Sequence, residues 1–192
     1  MINVVLLGPP GAGKGTQSKV LQEKYGLKQL STGEMLRAEV AAGTPIGREV
    51  KDILEQGGLV SDETMVEMLI ERMKQPDCKN GVIFDGFPRT VPQARALDVM
   101  LWRVGLKLTA VIQITVDEGI LMDRIRKRDA EAGVSRADDT PEVLIKRLEA
   151  YHAKTAPIIP YYQEDRRLKQ VDGMQPIEVV SAQIDEIIRQ SK

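Results

Sequence analysis

The residues best suited to chemistry lie near the N-terminus, in the run Gly8-Pro9-Pro10-Gly11-Ala12-Gly13-Lys14. It fits G-x-x-x-x-G-K, the pattern of a loop that cradles phosphate groups. Glycines let the backbone turn its N–H groups toward an anion. The start of a following helix adds partial positive charge, and Lys14 brings a mobile ammonium to the outer phosphates. The hydroxyl that usually follows the lysine is displaced, because Gly15 comes next and only then Thr16. A direct bond from Thr16 to Mg2+ is therefore the weaker part of the pattern. Asp85 directly follows the apolar run Val82-Ile83-Phe84. It should emerge where a buried strand ends, which is where an acid that orients Mg2+ belongs in a phosphoryl-transfer site. No [NT]-K-x-D guanine-reading segment accompanies these residues, which argues against a GTPase.

Such a loop works only if a strand delivers it and a helix receives it. Residues 2–7 are short, apolar and β-branched before they meet the Gly-Pro turn, as a buried strand does. Similar runs recur at 82–84 and 110–116, with weaker ones at 27–30 and 168–171. Between them, helical spacing covers 15–25, 34–42, 46–56, 62–74, 91–104, 118–131, 141–151 and 176–189. Ser61 before Asp62 and Glu63 marks one helix start, and Asp139-Thr140-Pro141-Glu142 marks another. Strands alternating with helices predict an α/β fold with a five-stranded parallel sheet flanked by helices on both faces. Two stretches, 31–60 and 127–139, sit off this rhythm and are expected to be excursions from the core.

Composition narrows the function classes. The 192 residues carry 42% hydrophobic and 29% charged side chains with 16 Gly and 10 Pro, which excludes collagen-like and disordered readings. With 27 Lys+Arg against 28 Asp+Glu the net charge is -1, a poor balance for a generic nucleic-acid binder. One cysteine, Cys78, and one histidine, His152, leave no ligand set for a Cys/His zinc site, so any metal is expected to meet oxygen. No apolar run approaches the ~20 residues of a membrane span. The stretch from Met1 has no basic leader, so a cytoplasmic protein without a membrane partner is expected. Trp102 and the methionines, Met65, Met68 and Met73 among them, are expected to serve core or substrate-domain packing.

The chain as a whole resembles the adenylate kinase family, within the nucleoside monophosphate kinases, in its short-lid form. The resemblance is carried by Gly-Pro-Pro-Gly-Ala-Gly-Lys-Gly-Thr at 8–16, Ser-Thr-Gly-Glu-Met-Leu-Arg at 31–37 and Asp-Gly-Phe-Pro-Arg-Thr-Val-Pro-Gln at 85–93. Further matches are Asp-Arg-Ile-Arg-Lys-Arg at 123–128, Arg-Ala-Asp-Asp at 136–139, Lys-Arg-Leu at 146–148 and Tyr-His-Ala-Lys-Thr-Ala-Pro at 151–157. The resemblance implies reversible phosphoryl transfer from MgATP to AMP giving two ADP, by a monomer without zinc. It implies a core of 1–30, 61–126 and 140–192, an NMP-binding insertion at 31–60 and a short lid at 127–139. ATP would be held by Gly11, Ala12, Gly13, Lys14, Gly15 and Thr16, with Arg128 from the lid and Gln175 through its backbone carbonyl. AMP would be held by Thr32, Arg37, Gly58, Leu59, Val60, Gly86, Phe87, Pro88, Arg89, Gln93, Arg136 and Arg147. Lys14, Arg89, Arg124, Arg128, Arg136 and Arg147 would serve catalysis, with Asp85 holding Mg2+ through water.

Elementary chemistry supports such a set. Near neutral pH ATP carries about -4 and AMP about -2, and Mg2+ cancels only two of these charges. Gathering the remainder in a water-poor site requires fixed cations, and guanidinium stays charged while gripping phosphate oxygens in pairs. The attacking oxygen of AMP is already ionised, so no general base is required, and His152 is expected to pack or cap. A pyrimidine-accepting relative, uridylate-cytidylate kinase, is the nearest alternative. Gln93, whose amide offers a donor and an acceptor together, favours adenine, and by the resemblance Thr32 matches the adenylate pattern where the pyrimidine enzymes commonly carry Ala. A nucleotide sensor without turnover would lack Lys14, Asp85 or Arg89, and all three are present.

Overall fold

The computed structural model describes residues 1–55, 60–132 and 141–191, with the backbone alone at 52–55, 128–132 and 141–143. The apolar runs form five strands, β1 (Ile2–Leu7), β2 (Lys28–Ser31), β3 (Gly81–Asp85), β4 (Ala110–Thr115) and β5 (Leu168–Asp172). They make one parallel sheet in the order β2-β3-β1-β4-β5. Register pairs Val4 with Ile83 on one side and with Ala110 on the other, so β1 lies at the centre. Successive side chains of a strand point to opposite faces, and the sheet is covered on both. Val5, Leu7, Val82 and Phe84 join one core, and Val4, Leu6, Ile83 and Ile112 join the other.

The described helices are α1 (Lys14–Tyr25), α2 (Thr32–Ala42), α3 (Pro45–Glu55), α4 (Asp62–Met73), α5 (Val91–Arg103), α6 (Leu121–Ala132), α7 (Pro141–Ala150), α8 (Ile158–Glu164) and α9 (Ile177–Gln190). Leu21 of α1 and Val180, Ile184 and Ile188 of α9 cover one face. The other is covered by Met65, Met68 and Leu69 of α4, by Leu97 and Leu101 of α5, and by Ile158 and Tyr162 of α8. Leu121 and Ile125 of α6 with Leu144 of α7 form a third, smaller cluster. Ser61 caps α4 as its position before two acids predicts, its Oγ accepting from the Thr64 N–H at 3.2 Å. The marker at 139–140 lies outside the described residues.

Differences from the sequence reading are local. Strand β2 begins one residue later than expected, α2 already begins at Thr32, and α6 is preceded by a 3-10 turn, Glu118–Ile120. Helix α6 continues through Lys127 to Ala132. Helix α8 was not expected. Trp102, expected to serve packing, is 78% exposed. The cause is helical phase: α5 buries Leu97, Met100 and Leu101 on one face, which turns residue 102 outward.

The topology creates a crevice. The chain leaves β1 toward β2 at one edge and leaves β4 toward β5 at the other. Loops at the carboxyl ends of these adjacent strands therefore diverge, which is where open α/β sheets bind ligands.

Candidate active site

The loop after β1 enters this crevice. Gly8 has φ 147°, and a Cβ there would stand 2.8 Å from the carbonyl oxygen of Ile114, so the approach of the loop to β4 requires glycine. Helix α1 then begins at Lys14 with no side-chain cap and no acid in its first turn. Its free N–H groups and positive dipole end are left for an anion. The Lys14 ammonium folds back across the loop, donating to the carbonyls of Gly8 at 2.7 Å and Pro9 at 2.9 Å. Burial lowers its pKa to about 8, Asp85 pulling it up and Arg89 adding to the decrease. Gly15 and Thr16 are exposed on the first turn of α1, and Gly11 lies against Leu121 and Ile125 of α6.

A second group of residues gathers where β3 ends beside β2. Register pairs Ser31 with Asp85, which sets Thr32 beside Gly86. The Gly86 carbonyl accepts from Arg89 Nε at 2.8 Å and from the Thr32 hydroxyl at 3.2 Å. Gly86 has φ 77°, and a Cβ on it would stand 3.0 Å from Thr32 Oγ1. Phe87 and Pro88, joined by a cis peptide, are buried behind it. The Asp85 carboxylate accepts from Gln29 Nε2 at 2.7 Å. Arg89 is exposed as a residue, yet protein packed around its guanidinium lowers its pKa, Asp85 opposing. The Arg89 N–H donates to Gln93 Oε1 at 2.7 Å, and Gln93 Nε2 donates to Asp62 Oδ1 at 2.7 Å. Gln93 is 5% exposed, so it is no surface glutamine.

The remaining expected residues come from separate elements. Arg37 on α2 is exposed and lies over Gly33, whose Cβ would stand 3.3 Å from Arg37 Nη1. Val60 is buried just before α4. Arg124 on α6 donates from Nη2 to the Gly173 carbonyl at 2.8 Å, beyond the end of β5. Arg147 is half-buried on α7. Gln175 is exposed, its amide donating to Asp172 at 3.0 Å. Arg128 lies on the backbone of α6, while Gly58, Leu59 and Arg136 lie outside the described residues.

The geometry thus joins Thr32, Gly86, Arg89 and Gln93 in one hydrogen-bonded chain, with Lys14 and Asp85 within electrostatic reach of Arg89. His152 is apart from it, in a single π-helical turn after α7, with Nε2 2.7 Å from Glu118 Oε1. Sequence reasoning missed Gln29 and Asp62 as members of the site, and Thr155, whose hydroxyl donates to the Arg89 carbonyl at 3.2 Å. The signal for Gln29 was a polar residue inside a strand that ends beside Asp85. No comparable signal marked Asp62, which reads simply as a helix-start acid. Among the described residues no group of three or more His, Cys, Asp or Glu is placed to hold a metal ion. No described helix is long and apolar enough to cross a membrane.

A family model for adenylate kinase matches residues 6–167. The chain belongs to the adenylate kinase family. Curated relatives agree over almost the whole length. An adenylate kinase of Azorhizobium caulinodans is 55% identical over 191 residues, covering 97% of this chain and 98% of its own. That of Methylobacterium radiotolerans is 54% identical, covering 95% and 94%. That of Xanthobacter autotrophicus is 53% identical, covering 99% and 100%. The adenylate kinase family match and the five-stranded parallel sheet describe one fold, that of a P-loop nucleoside monophosphate kinase.

Proposed function

We infer that this adenylate kinase family member is an ATP:AMP phosphotransferase. It moves the terminal phosphoryl group of ATP reversibly to AMP, giving two ADP, and so adjusts the balance of adenine nucleotides. The observation that carries the reading is the convergence of Lys14, Asp85 and Arg89 at the carboxyl edge of the sheet. The open N-terminus of α1 and the loop from Gly11 to Thr16 receive the ATP phosphates, and the segment around Gln175 meets its adenine. Thr32, Arg37, the backbone at 58–60, Gly86 to Arg89, Gln93, Arg136 and Arg147 receive AMP. The core of 1–30, 61–126 and 140–192 carries the reaction, while 31–60 closes over AMP and 127–139 over ATP.

Phosphoryl transfer of this kind depends on alignment and on stabilising charge that spreads over the transferred group. Arg89, anchored by Gly86 through Nε, presents its remaining donors toward the phosphates. Lys14 exchanges its two carbonyl partners for phosphate oxygens, and Arg124, Arg128, Arg136 and Arg147 complete the positive surround. The AMP phosphate oxygen attacks without a base because it is already ionised. Water would compete as acceptor, so closure of the two segments precedes transfer.

The donor set fits Mg2+. It is a hard cation that keeps several waters and takes one or two carboxylates, and Asp85 offers one carboxylate already oriented by Gln29. Asp85 would hold it through water, with Thr16 the lesser candidate, and the ion would neutralise phosphate charge and orient the donor. A balanced net charge argues against a nucleic-acid partner, and substrates that are small soluble nucleotides suit a cytoplasmic enzyme without a membrane partner; a monomer is what the family resemblance implies.

The test is ADP formation from MgATP with AMP, CMP, UMP or GMP, beside a control without acceptor. Turnover confined to AMP with little hydrolysis alone is expected. Preference for CMP or UMP would overturn the assignment of adenine recognition, and binding without transfer would overturn the enzymatic reading.

A further inference from the structure

We propose that Asp62 is the positioning residue that fixes the amide of Gln93 in the orientation that accepts adenine and rejects a 6-oxopurine. The proposal rests on the reading that Gln93 meets the AMP base.

The oxygen and nitrogen ends of a glutamine amide have nearly the same shape, so only their partners decide which end points where. Gln93 is buried, and each end has a protein partner. The backbone N–H of Arg89 can only donate, and it faces Oε1 at 2.7 Å. An ionised carboxylate can only accept, and Asp62 Oδ1 faces Nε2 at 2.7 Å. Together the two partners admit a single orientation.

The amide is not exhausted by these bonds. One N–H and one lone pair remain, and they form a donor and an acceptor in fixed order. Adenine offers an amino donor beside a ring-nitrogen acceptor and matches that order. In hypoxanthine an oxygen acceptor replaces the amino group, so the Gln93 oxygen would face another acceptor. Arg89 alone holds one end of the amide. Without Asp62 the Nε2 end is left with an unpaired buried donor, and only the Arg89 N–H bond to Oε1 still opposes a turn of the amide that would pair it with an incoming 6-oxo group.

Asp62 is well placed for this task. It is the first residue of α4, where the chain re-enters the core after the 31–60 segment, and the Ser61 cap bonded to Thr64 fixes the turn from which it projects.

The test compares the full chain with Asp62→Ala, Asp62→Asn, Gln93→Ala and the Asp62→Ala/Gln93→Ala double variant, using AMP and IMP as acceptors. Asp62→Ala should raise KM for AMP about five- to tenfold, with a much smaller fall in kcat. It should lower the AMP-over-IMP preference in kcat/KM by about tenfold, as the loss of one buried hydrogen-bond partner to a recognising group implies. Asp62→Asn keeps a carbonyl oxygen for Nε2 and should restore most of that preference, although it removes the helix-start charge just as alanine does. In the Gln93→Ala background the Asp62→Ala change should add little, because the two act as one unit.

A purely structural acid would instead make Asp62→Ala and Asp62→Asn lose thermal stability alike, with the AMP-over-IMP preference unchanged, and that outcome overturns the proposal. An Asp62→Ala effect that persists undiminished without Gln93 overturns it too. If Gln93→Ala changes base preference while Asp62→Ala does not, the proposal fails and the reading of Gln93 stands. If Gln93→Ala leaves preference intact, both fail.

Discussion

A lysine whose ammonium is buried in a loop of carbonyls should titrate differently from one in water, and Lys14 offers a direct measurement. Its pKa in the fold is lowered to about 8, from the ordinary lysine value of 10.5, and burial is the main cause. Between these values the unfolded chain holds the proton and the folded chain does not. Fold stability from this group therefore rises with pH across that window, and below about 8 the penalty on the charged form is constant. A bound polyphosphate favours the charged form, so nucleotide binding must take up a proton above pH 8. ATP binding measured calorimetrically should weaken about twentyfold from pH 7.5 to 9.5, with proton uptake visible across buffers of different ionisation enthalpy. Lys14→Met should bind weakly at every pH and lose the slope. A wild-type affinity that is flat over this range would rule out the shift. The presence of Lys14 and its loop was legible in the sequence because glycine spacing betrays backbone geometry. Its partners were not, since the Gly8 and Pro9 carbonyls, like the Gly86 carbonyl that anchors Arg89, are groups common to every residue type and only the fold aims them. Asp62 was hidden for a related reason: its partner Gln93 is thirty-one positions away and only the packing of α4 beside α5 brings them together.

At the scale of elements, β1, β3 and β4 were plainly legible as short apolar, β-branched runs bounded by turn residues, while the mostly polar β2 and β5 at the sheet edges gave weaker signals. Helix α8 was not, since Ile158–Glu164 is only seven residues long and contains Pro160. Proline at the third position costs little, because first-turn N–H groups have no intrahelical partner. Packing then decides. Ile158 and Tyr162, one turn apart, are both fully buried against the face that carries α5. Polar bonds secure the same contact. Asp98 on α5 receives Arg167 through Nη1 at 2.7 Å and Nη2 at 2.9 Å, and also accepts from Tyr161 Oη at 2.7 Å. These ties raise the pKa of Arg167 above the ordinary arginine value. Both partners are less than a third exposed, so Asp98→Ala should leave Arg167 with only its Asp165 bond at 2.7 Å and the Tyr161 hydroxyl poorly satisfied, and cost about 2–3 kcal/mol. Thermal unfolding should show a drop of roughly 5–10 °C. A change under 1 °C would mean that apolar packing alone holds α8. By contrast the Tyr162 hydroxyl, buried without a hydrogen-bond partner among the described residues, contributes nothing polar to the element it anchors.

Seen as a whole, the molecule combines a near-neutral net charge with a gathering of cations at one edge of a rigid sheet. The overall charge is -1, and specificity for anions therefore comes from placement, with β1, β3 and β4 delivering their loops to a common crevice. Two large cores clamp the sheet on both faces. The parts assigned to closure are attached differently. Helices α2 and α3 pack chiefly on each other and reach the main core through Leu36 and Val50, while α6 and α7 share a small cluster of their own around Leu121, Ile125 and Leu144. Local opening is easiest where few apolar contacts hold an element to the main core. Filling both nucleotide sites should link these satellites to the sheet through phosphate contacts. With ATP analogue and AMP both saturating, amide hydrogen exchange should slow about tenfold or more across 31–60 and 127–139. The amides of β1, β3 and β4, already held at the stability of the whole fold, should change much less. AMP alone should protect chiefly 31–60, since the reading assigns 127–139 to ATP. Equal protection of both segments by either nucleotide alone would contradict that assignment, and protection spread evenly over the sheet would mean that ligands stabilise the fold globally without closing any part of it.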